Sequence, residues 1–504
     1  MKKAYTYILL VSIAILAFYW RLPWLSSEKV ASDEWPSIYT AVKIYDNSEI
    51  PIFLAGQNYM APFKEVLAYP LIFLFGKHIF YLRLTSVILF ILSALLGFAI
   101  LKNIIGIKLT LGIIICYTFT VSTINQYDSS LVGQYSSIML LNLLMIYYII
   151  RWVQTYSYSK LLLFSIIAGI SYYVFSISTF QYFSCLLWAL ICSKKWDFFI
   201  TNFRNRFAYI SVLYFVFLVL FSLLLYRPLT QSQKILYNNS QYIIFGLLIV
   251  FAFGSLIVSV NAFSIYRSDC KTIGFATIPF AFFAALPSLI FKHVVYPDLV
   301  ARYGISLYSI GYTLKHAHEW PHQILNFFIG AFPALIFGRG LGDIRGAASF
   351  SLEFSVIKIL LGFYFVFCIL IFLRKNNIFN GNSNLRSPLW LFAFPALLNL
   401  IVLLPSWRLF GDYSYRYIIP YYLGILVILF TPFMFLKKRF HFLAILCALA
   451  YSSFSFLEQK KFFNKISNDN AYTKKNIGES FNLEADLIIA PRNEVFELWF
   501  NDTK

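Results

Sequence analysis

The chain has 504 residues, 60% of them hydrophobic and 20% aromatic, with only 12% charged and a formal net charge of +19. Its mean hydropathy is +0.71, and apolar runs of about 20 residues, the length that crosses a hydrocarbon core, recur along almost all of it. This excludes a soluble enzyme and predicts an all-α polytopic membrane protein; a barrel would show short alternating strands instead.

The N-terminal stretch MKKAYTYILLVSIAILAFYW opens like a secretory signal. Its apolar run is long and ends in aromatic residues and arginine rather than small cleavable ones, so it reads as a retained first span. Tyr19, Trp20 and Trp24 then sit at the interface. Further spans are expected near 79–101, 109–124, 136–150, 161–176, 178–193, 207–226, 242–265, 273–291, 352–373, 388–405, 417–436 and 440–456. Together these make about 13 spans (12–14), with the N-terminus cytoplasmic. The transmembrane domain is then 1–456, with long outer loops at 25–78 and 292–351, and an outer tail at 457–504.

Loop charges support this orientation. The proposed inner loops carry clusters such as Lys194, Lys195, Arg204 and Arg206, or Lys437, Lys438 and Arg439, but only two of the 22 acids, Asp197 and Asp269. That bias follows the positive-inside rule. The basic excess is therefore topological, and no nucleic-acid partner is implied. The six cysteines, Cys116, Cys185, Cys192, Cys270, Cys368 and Cys447, are scattered without metal-type spacing and read as buried spectators.

The working face is the outer one, where loop length is concentrated. In ASDEWPSIYTAVKI, Ser32 or Asp33 can cap a helix whose first turn tolerates Pro36. Trp35, Ile38, Val42 and Tyr45 share one face of it. Pro62 opens a second helix, APFKEVLAYPLIFLFG, closed by Gly76. Both helices are too short or interrupted to span, so both read as interfacial. A later segment, His322 to Phe337, reads as another helix lying on the membrane face.

Asp33 and Glu34 stand side by side at the outer end of the first span. Acids favour a helix start for simple electrostatic reasons. At a membrane interface, partial desolvation would also raise a carboxylate's pKa and make it a better base. HAHEWPH holds His316, His318 and His322. Their spacing fits no standard zinc motif, and three readings stand: a divalent metal site, contacts to an acceptor or phosphate, and an ordinary loop.

The order of these motifs resembles the GT-C glycosyltransferases that use polyprenyl-phosphate sugars, a group including protein O-mannosyltransferases and the lipid A aminoarabinose transferase. The resemblance rests on DEWPSIY after one span, then GQNYMAPFKEVLAYPLIFLFG with Gly56, Gln57, Tyr59, Glu65, Leu67 and Ala68 in place. AALPSLIFKHVV, LNFFIGAFPALIFG and SYRYIIPYYLGIL, the last carrying Arg416, Tyr417 and Pro420, continue it. Ala61 stands where relatives have a second glycine, and the tandem prolines of the best-known members are missing, with Lys64 filling the basic role.

The resemblance implies a GT-C-like fold in a bacterial inner membrane and transfer of a sugar from a polyprenyl-phosphate donor to a lipid, glycan or protein acceptor. Transfer would be on the extracytoplasmic face and inverting, with no certain cofactor and a divalent metal left open. Asp33 is then the base, with Glu34 and Glu65 second choices. Arg416, Lys64, Arg302, Arg339, Arg345 and Arg408 are the phosphate-binding set. A surface-polysaccharide polymerase or ligase is the alternative. A lipid-linked sugar transporter would need charges inside spans, and few occur there.

Overall fold

The computed structural model describes residues 2–27, 34–47, 60–155, 157–192, 332–337, 352–375, 387–403 and 418–467, together with Leu54. The described chain is all helical, apart from one isolated bridge between Met60 and Phe175. Four of its helical stretches, Tyr7–Leu25, Ile79–Ile105, Tyr135–Thr155 and Lys438–Lys461, are long and apolar enough to cross a membrane. Large side chains such as Val11, Ile15, Leu449 and Leu457 are exposed on them. In water such a surface would be an aggregation hazard; against lipid it is ordinary.

The helices in chain order are α1 (Lys2–Leu25), α2 (Trp35–Asn47), α3 (Phe63–Phe75), α4 (Ile79–Ile105), α5 (Ile107–Thr118), α6 (Ser122–Ser129), α7 (Tyr135–Thr155), α8 (Tyr158–Val174) and α9 (Thr179–Cys192). After them come α10 (Phe332–Phe337), α11 (Leu352–Lys375), α12 (Trp390–Leu403), α13 (Tyr422–Leu429), α14 (Thr431–Phe435) and α15 (Phe442–Ser467). The predicted spans at 207–226, 242–265 and 273–291 lie outside the described residues.

Both helices predicted within 25–78 form. α2 buries Ile38 and Val42 but also Ser37, Thr40, Ala41 and Ile44, so it is enclosed on nearly every side rather than on the single face its spacing marks. α3 starts after Pro62 and stops at Gly76, whose φ of 92° is one that glycine adopts without strain. Its polarity is inverted. Lys64, Glu65, Ala68 and Ile72 face inward, while Leu67, Phe73, Leu74 and Phe75 are exposed. A helix with carboxylate and ammonium buried and apolar side chains outward suits a lipid-facing position.

Several expectations need correction. The predicted span 109–124 ends at Thr118, and the helix it leaves has 12 residues. At 1.5 Å per residue it is ~18 Å long, short of a bilayer core. The polar run Ser122–Ser129 folds as the separate helix α6. The span at 417–436 breaks into a 3-10 turn, α13 and α14, with Pro432 at the second start. α15 runs on to Ser467, past the expected boundary at 456. Of the later-loop helix, only α10 is described; its Phe332 and Leu335 are fully buried rather than laid on a surface. Cys116, Cys185 and Cys368 are buried and Cys192 half-buried, but Cys447 is exposed.

Close approaches set the packing. Gly112 of α5 faces the Ala444 carbonyl of α15, and Gly424 of α13 faces the Phe392 carbonyl of α12. Small residues at these crossings let backbones touch, the usual route to helix association in lipid. Gly97 of α4 meets Leu423, Ile114 and Leu143, where four helices converge.

Candidate functional site

A polar layer crosses the C-terminal ends of α1 and α15 and the N-terminal ends of α4 and α7, built around residues 118–134. This segment offers backbone groups on every side. The Thr118 carbonyl accepts from Arg21 Nη1 at 3.0 Å, and the Thr120 carbonyl accepts from Trp20 Nε1 and Gln459 Nε2, each at 2.9 Å. Glu458 of α15 accepts from the Ser122 amide at 2.7 Å and from its hydroxyl, closing the start of α6 from another helix.

Two buried ion pairs hold the layer. Arg21 forms a fork with Asp128, Nε to Oδ1 at 3.1 Å and Nη2 to Oδ2 at 2.7 Å, and its guanidinium carbon lies 3.4 Å from the Phe90 ring centre. Arg83 forms a second fork with Glu34, at 3.0 and 2.8 Å. All four side chains are fully buried. Bidentate geometry is the arrangement in which a desolvated carboxylate and guanidinium satisfy each other best. Arg83 Nη1 also donates to the Trp24 and Ser27 carbonyls at 3.0 and 2.6 Å. It thereby closes the C-terminal end of α1 with a cation, as the orphan carbonyls and dipole favour. One arginine thus ties the end of α1 to the start of α2.

Two charges of the segment between α1 and α4, Glu34 and Lys64, meet at Leu131. Its amide donates to Glu34 Oε1 at 2.9 Å. Its carbonyl accepts from Lys64 Nζ at 2.7 Å and from the Ser37 hydroxyl at 2.9 Å. Lys64 Nζ also donates to the Gly133 carbonyl. Gly133, at φ 58°, takes a left-handed turn that puts this carbonyl in reach. Gln134 finishes the cluster: its Nε2 donates to Glu65 Oε2 at 2.7 Å, and its Oε1 accepts from Ser137 at 3.0 Å. Glu65 Oε1 is buried and accepts no hydrogen bond among the described residues.

Burial works against both charges on α3. It lowers Lys64 to about 8, with the Glu65 and Glu34 charges pulling the other way. It raises Glu65, opposed by the Lys64 ammonium. Glu34 has both oxygens engaged, so its geometry is that of an anchor. Glu65 is held through Oε2 by Gln134.

Of the residues singled out in the sequence, Glu34, Lys64 and Glu65 are brought together. Asp33, Arg302, His316, His318, His322, Arg339, Arg345, Arg408 and Arg416 lie outside the described residues. Lys64 does not present a free ammonium, because two carbonyls hold it. Sequence reading missed Arg21, Asp128, Gln134 and Glu458. The available signal was the polar run STINQYDSSLVGQ in a chain otherwise this apolar. Pro420 is buried, and its carbonyl accepts from Asn142 at 3.4 Å. The return of the first loop is stitched to the end of α8, where the Ala61 amide donates to the Val174 carbonyl at 3.2 Å. Among the described residues, no group of three or more His, Cys, Asp or Glu is placed to hold a metal.

No family model and no curated protein matches the chain. Among solved structures it is similar in outline to the oligosaccharyltransferase of Archaeoglobus fulgidus. Against its complex with zinc and sulfate, the TM-score is 0.42 at 14% identity, covering 89% of this chain and 52% of the other. The apo form gives 0.42 at 13%, covering 91% and 56%. The archaeal enzyme AglB with an inhibitory peptide and a dolichol-phosphate gives 0.41 at 13%, with the same coverage. The chain thus spans about half the length of these enzymes.

Proposed function

We propose that this chain is a membrane glycosyltransferase that moves a sugar from a polyprenyl-phosphate donor to an acceptor hydroxyl on the extracytoplasmic face. The observation that carries the reading is the convergence on Leu131. Glu34 from the start of α2 and Lys64 from the start of α3 reach the same backbone unit, and Glu65 is held three residues on. The first outer loop is therefore fastened at two charged points to the rigid ends of α4 and α7. Sites that need sub-ångström placement are built on such supports.

Asp33 is the residue immediately before the anchored Glu34. In the proposed step the Asp33 carboxylate takes the proton of the acceptor hydroxyl as its oxygen attacks the anomeric carbon. The bond from that carbon to the phosphate oxygen breaks, and the polyprenyl phosphate leaves with the electron pair. One displacement inverts the anomeric centre and forms no covalent sugar–enzyme species. Arg416, with Arg302, Arg339, Arg345 and Arg408, supplies the cations for the departing phosphate, since a guanidinium holds two oxygens at once. Glu34 acts through Arg83 as a positioning residue, and Glu65 is the second carboxylate within the cluster.

Asp33→Asn tests the reading. It keeps the shape and the capping ability of Asp33, but cannot take a proton. Transfer from a panel of polyprenyl-phosphate hexoses and pentoses, normalised to folded protein, is expected to fall by about 10²–10⁴-fold. Near-normal turnover in Asp33→Asn sinks the assignment. A dead Glu65→Gln beside an active Asp33→Asn moves the base to Glu65.

A further inference from the structure

An open groove of about 450 Å³ lies between α1 and α15 at the end of the bundle that carries the polar layer, lined by Trp20, Phe119, Ser452, Ser453, Phe456 and Leu457. Trp20 meets Phe119 edge-on at 4.9 Å and Phe456 at 6.2 Å. The polar groups in the wall are already used. The Trp20 indole donates to the Thr120 carbonyl. The Ser452 and Ser453 hydroxyls donate to the Ala448 and Leu449 carbonyls of their own helix, at 2.8 and 3.1 Å. The groove therefore offers hydrocarbon and ring faces to whatever enters. Phe456 and Leu457 stand exposed on it.

Charge sits directly above. Lys460 and Lys461 are exposed and follow Phe456 and Leu457 by four residues, on the same two stripes of α15. They stand ~6 Å further along the axis. Helical side chains lean back toward the N-terminus of their helix, a direction that carries the two lysine stems toward the groove. An apolar slot roofed by two cations matches a lipid with an anionic head and a hydrocarbon tail.

We propose that this groove docks an anionic phospholipid, one acyl chain in the slot and the phosphate at Lys460 and Lys461. This is independent of the transfer chemistry, because neither lysine belongs to the proposed site. The lipid would brace α15 where Glu458 and Gln459 grip the polar layer.

The test is native mass spectrometry of the full chain released from detergent with added phosphatidylglycerol or phosphatidylcholine. The wild type should retain phosphatidylglycerol preferentially. Lys460→Gln/Lys461→Gln should lose that preference, by about fivefold for each lysine. Ser453→Trp, which fills the slot and leaves the charges, should lose it as well. Equal retention of the two lipids by the wild type overturns the proposal, as does an unchanged preference in both variants. Displacement of phosphatidylglycerol by an equimolar polyprenyl monophosphate assigns the groove to a donor-type lipid instead, and a lipid-free dimer assigns it to a second copy.

Discussion

Removing one member of the Arg83–Glu34 pair should cost far more than removing both. Glu34→Ala leaves a fully buried guanidinium with two carbonyl partners, at 3.0 and 2.6 Å, but no counter-charge from the fork. Breaking a buried pair on one side destabilises by about 3–5 kcal/mol. The Leu131 amide also loses its acceptor at 2.9 Å, another ~1–3 kcal/mol if it stays dry. Arg83→Met strands the Glu34 carboxylate in the same way. The double variant Glu34→Ala/Arg83→Met leaves neither charge of the pair buried, and an apolar replacement of such a pair is often near neutral. The cycle should therefore show a coupling of at least ~2 kcal/mol, with the double variant more stable than either single one. The assay is reversible unfolding in mixed micelles, read by tryptophan fluorescence and checked by gel filtration. Additive single effects, or a Glu34→Ala cost below about 1 kcal/mol, refute the reasoning.

Three further perturbations follow. Lys64 has its folded value lowered by burial from 10.5 to about 8, so between those values the unfolded chain binds the proton and the folded chain does not. Stability should rise with pH across that window, with the penalty fully present below it; Lys64→Met should flatten the rise in pH-dependent melting. Glu65 is shifted the other way, so stability should fall as pH climbs above 4.5, and Glu65→Gln should remove that fall. A methyl on Gly424 would stand 2.0 Å from the Phe392 carbonyl oxygen. Gly424→Ala must push α12 and α13 apart, at a cost of about 1–3 kcal/mol, and an unchanged melting midpoint would show that the helices do not touch there.

Local signals were legible because their causes are local. The 3.6-residue period of Ile38 and Val42, Pro62 before α3 and Gly76 after it act within a turn or two of chain, and both short helices form where they point. Membrane-length apolar runs behave likewise: α1, α4 and α7 follow their predicted spans, because the solvent acts on each segment separately. The reading at 109–124 failed because hydropathy averages over a window and so blurs the point where Thr118 gives way to a polar run.

Acidic character at 33–34 and at 65 was visible in the sequence, and so was a basic residue at 64. Their roles were not. Glu34 meets Arg83 from 49 residues away, Arg21 meets Asp128 from 107, and Ser122 meets Glu458 from 336. A desolvated charge takes whichever partner the packed bundle brings within about 3 Å, and periodicity carries no record of that choice. The sequence by itself determined that the chain carries membrane-length apolar helices and where the segment 25–78 bends into helices. Only the tertiary structure decided which carboxylate is tied down, which lysine is spent on carbonyls, and that both meet on Leu131, because those outcomes depend on distances between helix ends rather than on any single segment.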